Sequence, residues 1–150
     1  MKIKIFTVGG TIDKIYFDQL SQYEVGESLV SRMFLEANVM FEFEIEQVMK
    51  KDSLHMTDQD RQLLFDKISI EPAKHIFITH GTDSMIKTAQ VLSEIKGKVI
   101  VLTGALQPSR FRDSDATFNV GFALGALHVL SQGTYVAMLS LIHISEPTRL

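Results

Sequence analysis

Five short apolar or alternating runs, separated by stretches with helical spacing, restrict the folds open to this chain more than any other feature. Ile3 and Ile5 alternate with lysines before residues 6–8 lead into Gly9 and Gly10, and Phe41, Phe43 and Ile45 alternate with Glu42, Glu44 and Glu46. Residues 75–79, 98–103 and 134–138 are β-branched, aromatic and apolar. All five read as strands, and the glutamate-lined one should lie near a sheet edge because one of its faces is wet. Between them, Leu29, Val30, Met33, Phe34 and Ala37 fall on helical spacing, as do Met85, Ile86, Ala89, Leu92 and Ile95. Thr57 and Asp60 form a capping pair ahead of Leu63, Leu64, Lys67 and Ile68, and a last helix runs to Leu130. Strand–helix alternation of this kind predicts an α/β fold of flavodoxin-like form, a mostly parallel sheet with helices on both faces.

The remaining composition removes several function classes. No cysteine is present, which excludes disulfides, thiol nucleophiles and cysteine-ligated zinc and fits a reducing cytoplasm. A net charge of −3 without a long basic block argues against a nucleic-acid groove. The amino terminus alternates where a leader needs a continuous apolar segment, and no run approaches the roughly 18 residues of a membrane helix. The expected partner is a small molecule, with no nucleic acid and no membrane.

In open parallel sheets, ligands collect at the carboxyl ends of the strands. Gly9-Gly10-Thr11 follows the first strand, Asp52-Ser53 the second, Gly81-Thr82-Asp83 the third and Gly104 the fourth. Each has a bland reading. Gly9-Gly10-Thr11 alone is a tight turn; it lacks the third glycine of a dinucleotide fingerprint and the Gly-Lys-Ser/Thr of a phosphate loop. Asp83 alone could cap the helix that follows. Their shared position at one rim favours function. His55, His75, His80 and His128 show no metal-ligand spacing, so structural or solvent-facing roles are expected. Gly121 and Gly125, one helical turn apart, suggest close helix packing. Residues 13–26 read as a long loop or irregular hairpin carrying Tyr16 and Tyr23.

Gly9-Gly10-Thr11-Ile12, together with Ile78-Thr79-His80-Gly81-Thr82-Asp83-Ser84-Met85, resembles the two signature motifs of the bacterial-type L-asparaginase/glutaminase family. Ser21-Gln22-Tyr23-Glu24-Val25-Gly26 resembles its active-site loop, Asp52-Ser53 with Met56-Thr57 its substrate-carboxylate loop, and Leu102-Thr103-Gly104-Ala105 through Phe118-Asn119 the segment after the fourth strand. The resemblance covers roughly residues 2–138 and implies hydrolysis of the side-chain amide of L-asparagine, or L-glutamine, by a cytoplasmic homo-dimer or tetramer without cofactor or metal. Carried over by position, Thr11 is the nucleophile, assisted by Tyr23, and Thr82 is the second catalytic threonine. Asp83 holds the substrate ammonium, Ser53 its α-carboxylate, and Gly10 and Gly81 line the substrate. Val8 and Leu54-His55 depart from the family pattern. A non-catalytic amino-acid-binding module on the same fold is the alternative; a receiver-like signalling domain lacks its acidic pair.

The residues from Leu139 to Arg149 match the translation of a common transposase sequencing adapter. Residues 1–138 are therefore expected to form the asparaginase-type amino-terminal domain, and residues 139–150 a non-native tail. The resemblance places a catalytic lysine shortly after the fifth strand, and residues 139–150 contain none.

Overall fold

A computed structural model describes residues 1–16, 23–25, 29–109 and 112–146, with the backbone alone at 14–16 and 23–25. The strands are β1 (Lys2–Thr7), β2 (Lys14–Tyr16), β3 (Tyr23–Val25), β4 (Glu42–Gln47), β5 (His75–Thr79), β6 (Val99–Thr103), β7 (Gly133–Met138) and β8 (Leu141–Ser145). The helices are α1 (Val30–Ala37), α2 (Asp58–Ile70), α3 (Met85–Leu92) and α4 (Ala116–Val129). The main sheet runs β4-β1-β5-β6-β7-β8, parallel up to β7, with β8 antiparallel at the edge. Among the first five of these strands, the order places the first of the chain between the second and the third, as the α/β reading requires. The stretch after Thr11 is a small antiparallel hairpin, Lys14 facing Val25 and Tyr16 facing Tyr23.

Alternation along the strands builds two cores. Ile3, Ile5, Phe77, Val99 and Val101 face α1 and α4, meeting Phe34, Val120, Ala123 and Leu127. Phe6, Val8, Ile76, Ile78, Ile100 and Leu102 face α2 and α3, meeting Leu64, Ile68, Ala89 and Leu92. Each fully buried side chain of this size contributes about 1.5–3 kcal/mol. With both faces covered, β5 and β6 are near-continuous apolar runs. Strand β4 lies at the edge, and its glutamates account for the wet face. The ammonium of the buried Lys4 sits 2.9 Å from Glu44 and 3.3 Å from Glu46, with Lys67 2.8 Å from Glu46.

Helix α2 opens on the expected pair: the Asp60 amide donates to Thr57 Oγ1 at 3.1 Å, and the Thr57 amide donates to Asp60 Oδ2 at 2.9 Å. Helix α4 differs from expectation at its glycines. Among the described residues, a Cβ on Gly121 or Gly125 would meet nothing within 4 Å, so neither makes a close packing contact with them. Ala116, Ala123 and Leu127 press the opposite side of the helix onto the sheet, leaving these glycines outward beside the stacked rings of Phe118 and Phe122.

Residues 139–146 are described, whereas 147–150 are not. Met138 pairs with Leu141, leaving Leu139 and Ser140 as a two-residue turn with φ of 52° and 63°. Leu141, Ile142 and Ile144 are exposed along β8. Among the described residues, no helix is long and apolar enough to cross a membrane.

Candidate active site

The parallel register ends β1, β5 and β6 together, with Thr7 opposite Thr79 and Thr79 opposite Thr103. The segments that follow meet at the carboxyl rim. Gly10 has φ of 96°, and a Cβ built on it would stand 2.5 Å from the Gly81 Cα. A Cβ on Gly81 would in turn lie 2.6 Å from both Cβ and Oγ of Ser53. Only glycine lets backbone approach backbone this closely, and at Gly10 it also supplies the left-handed conformation. Thr11, Thr82 and Ser53 thus belong to loops in mutual contact, although they are far apart in sequence.

Thr11 is half-buried and opens a 3₁₀ turn, Thr11–Asp13, in which the Asp13 amide donates to the Gly10 carbonyl at 3.1 Å. The buried Asp13 carboxylate accepts from the Leu29 amide at 3.3 Å, and the Ile12 carbonyl accepts from the Ser109 amide at 3.1 Å. The turn that carries Thr11 is therefore held on both sides.

Ser53 begins a second 3₁₀ turn, Ser53–His55, started by the Asp52 carboxylate accepting from the Leu54 amide at 3.1 Å. Its carbonyl accepts from Ser84 Oγ at 2.8 Å, which couples the Ser53 turn to the Thr82–Ser84 turn. Ser53 Oγ is buried yet makes no hydrogen bond within the described residues. Its donor and acceptor capacity is unused there, as is that of five other buried hydroxyls, Thr7 and Thr79 at the strand ends among them.

Thr82 is half-buried and Asp83 is exposed. The N-cap of helix α3 is Ser84, one residue beyond Asp83, and its side chain makes no capping hydrogen bond. His80 is structural, as expected: it is fully buried, Nδ1 lies 2.7 Å from the Gly81 carbonyl and Nε2 lies 2.8 Å from Thr88 Oγ1. Burial pushes the imidazole pKa down to about 4, with the Arg61 charge acting in the same direction and the Gly81 hydrogen bond opposing both. No cluster of metal-ligating groups occurs among the described residues.

The tyrosine assignment falls partly outside the described residues. Tyr23 lies in β3, but its side chain and that of Tyr16 are not described, nor are Ser21, Gln22 and Gly26. Several supporting residues, Ser84 and Asn119 among the family motifs, had no role assigned from the sequence. Asp13 and Ser84 pin the turns, and Asn119 is a buried hub. Its Nδ2 donates to the Gly104 carbonyl at 2.9 Å and to Asp115 at 2.8 Å, while its Oδ1 accepts from the Leu139 amide at 2.8 Å. Asp115 also accepts from the Leu106 and Gln107 amides, fixing the loop after β6.

The rim thus brings together three loops that carry Thr11, Ser53 and Thr82, with the exposed Asp83 and tightly turned backbone beside them, residue types that acyl transfer uses. The Asparaginase, N-terminal family profile matches residues 2–149. No curated protein matches the chain. Solved structures do. The thermostable L-asparaginase from Thermococcus kodakarensis superposes with a TM-score of 0.81 at 24% identity over 96% of this chain and 46% of its own. The "probable cytoplasmic L-asparaginase" of Campylobacter jejuni gives 0.77 at 28%, covering 94% and 45%. L-asparaginase I from Vibrio cholerae gives 0.76 at 28%, covering 95% and 46%. The chain therefore spans about half the length of these proteins.

Proposed function

The chain belongs to the asparaginase family, matching its amino-terminal domain, and from that premise we propose that its rim hydrolyses the side-chain amide of L-asparagine, and secondarily L-glutamine, to the acid and ammonia. The observation that carries this reading is the contact of Gly10 with Gly81 and of Gly81 with Ser53. It brings together the loops that carry Thr11, Thr82 and Ser53, which supports assigning them to one site.

In the proposed reaction, Thr11 Oγ attacks the amide carbonyl while its proton passes toward Tyr23. The C–N bond breaks, the nitrogen takes up a proton and leaves as ammonia, and an ester links substrate and Thr11. Water, activated at Thr82, then cleaves that ester to the acid and returns the Thr11 hydroxyl. Splitting the reaction this way divides one difficult step into two easier ones. Asp83 pairs with the substrate ammonium, Ser53 Oγ donates to its α-carboxylate, and the glycine loops let the substrate approach backbone. The buried, unsatisfied Ser53 hydroxyl supports that role. No metal or organic cofactor enters the scheme.

Residues 139–150 contain no lysine to pair with Thr82. We take these residues to be foreign to the natural domain, and this chain to have little or no activity. Reading the source gene past Met138 tests that point, since codons for Ile144 to Leu150 in the gene would refute it. A homo-dimer or tetramer in the cytoplasm completes the proposal; the Campylobacter jejuni relative, described as cytoplasmic, supports the compartment.

The second reading is an amino-acid-binding module, favoured by the departures from the family pattern at Val8 and Leu54. Calorimetric titration with L-asparagine, paired with an ammonia assay, separates the two on the protein carrying its own gene's sequence beyond Met138. Binding with Thr11-dependent ammonia release supports the enzyme, and binding without release supports the module.

A further inference from the structure

Arg61 is a buried cation to which the proposed chemistry assigns no role. It projects from α2 with 3% of its surface exposed, and the carboxylate recorded beside it, Asp58, is 4.0 Å away and itself 90% exposed. Its Nε–H donates instead to Thr88 Oγ1 of α3 at 2.9 Å, and its Nη1 donates to the Met56 carbonyl at 3.4 Å. Arginine can only donate, so Thr88 Oγ1 must accept there and direct its own hydrogen elsewhere. The available acceptor is His80 Nε2, 2.8 Å away. That choice fixes the tautomer: Nδ1 carries the hydrogen and donates to the Gly81 carbonyl at 2.7 Å. A single direction of donation, Arg61 to Thr88 to His80 to Gly81, accounts for all three of these hydrogen bonds.

The terminus of this series is the Gly81–Thr82 peptide. The described peptide bonds are all trans, so the carbonyl and the N–H of that peptide point in opposite directions. With the carbonyl turned toward His80 and the α2–α3 layer, the Thr82 N–H points away from that layer. A hydrogen-bond series headed by a cation polarises its members and strengthens the donor at the far end.

We propose that Arg61, Thr88 and His80 act as a positioning relay that orients and polarises the Gly81–Thr82 peptide, so that the Thr82 N–H is presented to the amide carbonyl of the bound substrate. The role in substrate binding rests on the amidohydrolase reading, whereas the relay itself does not.

Proton–nitrogen correlation spectra and calorimetric titrations with L-asparagine, run on the intact chain and its variants, test both parts. Thr88→Val keeps the shape of the side chain but removes the donor to His80. It should displace the Thr82 amide resonance and weaken L-asparagine binding about fivefold, the size of one net hydrogen bond. Thr88→Ser should restore both. Arg61→Lys retains the charge without the Nε fork and should displace the same resonance, which keeps the test open if the valine variant folds poorly. A Thr82 amide left at its wild-type position in Thr88→Val and Arg61→Lys overturns the relay. A wild-type chain that binds no L-asparagine overturns the functional reading and the relay's use in binding, while the Thr82 resonance still reports on the relay itself.

Discussion

Gly10 and Gly81 lie so close that a Cβ on Gly10 would stand 2.5 Å from the Gly81 Cα. That approach joins the Thr11 loop to the Thr82 loop. It gives a direct prediction, because Gly97 also has positive φ, at 80°, yet a Cβ there meets nothing within 4 Å. Gly97→Ala should cost about 1 kcal/mol, the backbone penalty alone, while Gly10→Ala should cost about 3 kcal/mol or more because backbone must also move. Urea unfolding of the two variants measures the difference, and equal losses would mean that the loops do not meet as described.

Stability should fall on mild acidification because of His80. Its imidazole titrates at about 4 in the fold and near 6.5 when unfolded. Between those values the unfolded chain binds a proton that the native state refuses, so stability is full above about pH 6.5 and is lost as pH falls toward 4. The expected loss is about 3 kcal/mol over that window. The carboxylates of Glu44, Glu46 and Asp60 are held below their ordinary values by hydrogen bonds from Lys4, Lys67 and Lys51 respectively, and they add their own losses at still lower pH. Unfolding free energies at pH 7 and pH 5 for wild type and His80→Gln should show a much weaker dependence in the variant.

The reciprocal cap at the start of α2 should be measurable by itself. Thr57→Ala removes the acceptor for the Asp60 amide and should cost about 1 kcal/mol. Denaturant unfolding checks the value. A loss near zero would show that the adjacent ion pair of Asp60 with Lys51, at 2.7 Å, holds that turn unaided.

The turn between β7 and β8 places two ordinary residues, Leu139 and Ser140, in left-handed backbone. Two-residue hairpins of this kind favour Asn-Gly. The double substitution Leu139→Asn, Ser140→Gly should therefore raise the melting temperature and add about 1 kcal/mol. An unchanged melting temperature would show that this hairpin contributes nothing to the folded state.

The architecture was legible because its signals are periodic. Ile3 and Ile5 alternating with lysine, and Phe41, Phe43 and Ile45 alternating with glutamate, declare strands, and the glutamates declare an edge that β4 occupies. Thr57 and Asp60 declare the start of α2. The convergence of Gly10, Gly81 and Ser53 was legible through the rule that parallel strands end together and through the family resemblance of their motifs. Side-chain networks carry no such period. Arg61, Thr88 and His80 lie on α2, on α3 and after β5, and they meet only because the fold brings those elements together. Asn119 reaching the Leu139 amide is a contact of the same kind. The glycines of α4 misled for a related reason: one-turn spacing marks a face but does not say whether this chain supplies a neighbour for it.

The central claim is that Thr11 is the nucleophile of an asparagine-cleaving rim. Ammonia release from L-asparagine, measured on the protein carrying its own gene's sequence beyond Met138 and on its Thr11→Ala variant, tests it most directly. The account predicts steady release by the parent protein and loss of nearly all of that rate in the variant, with the fold intact by circular dichroism. Undiminished release by Thr11→Ala would contradict it.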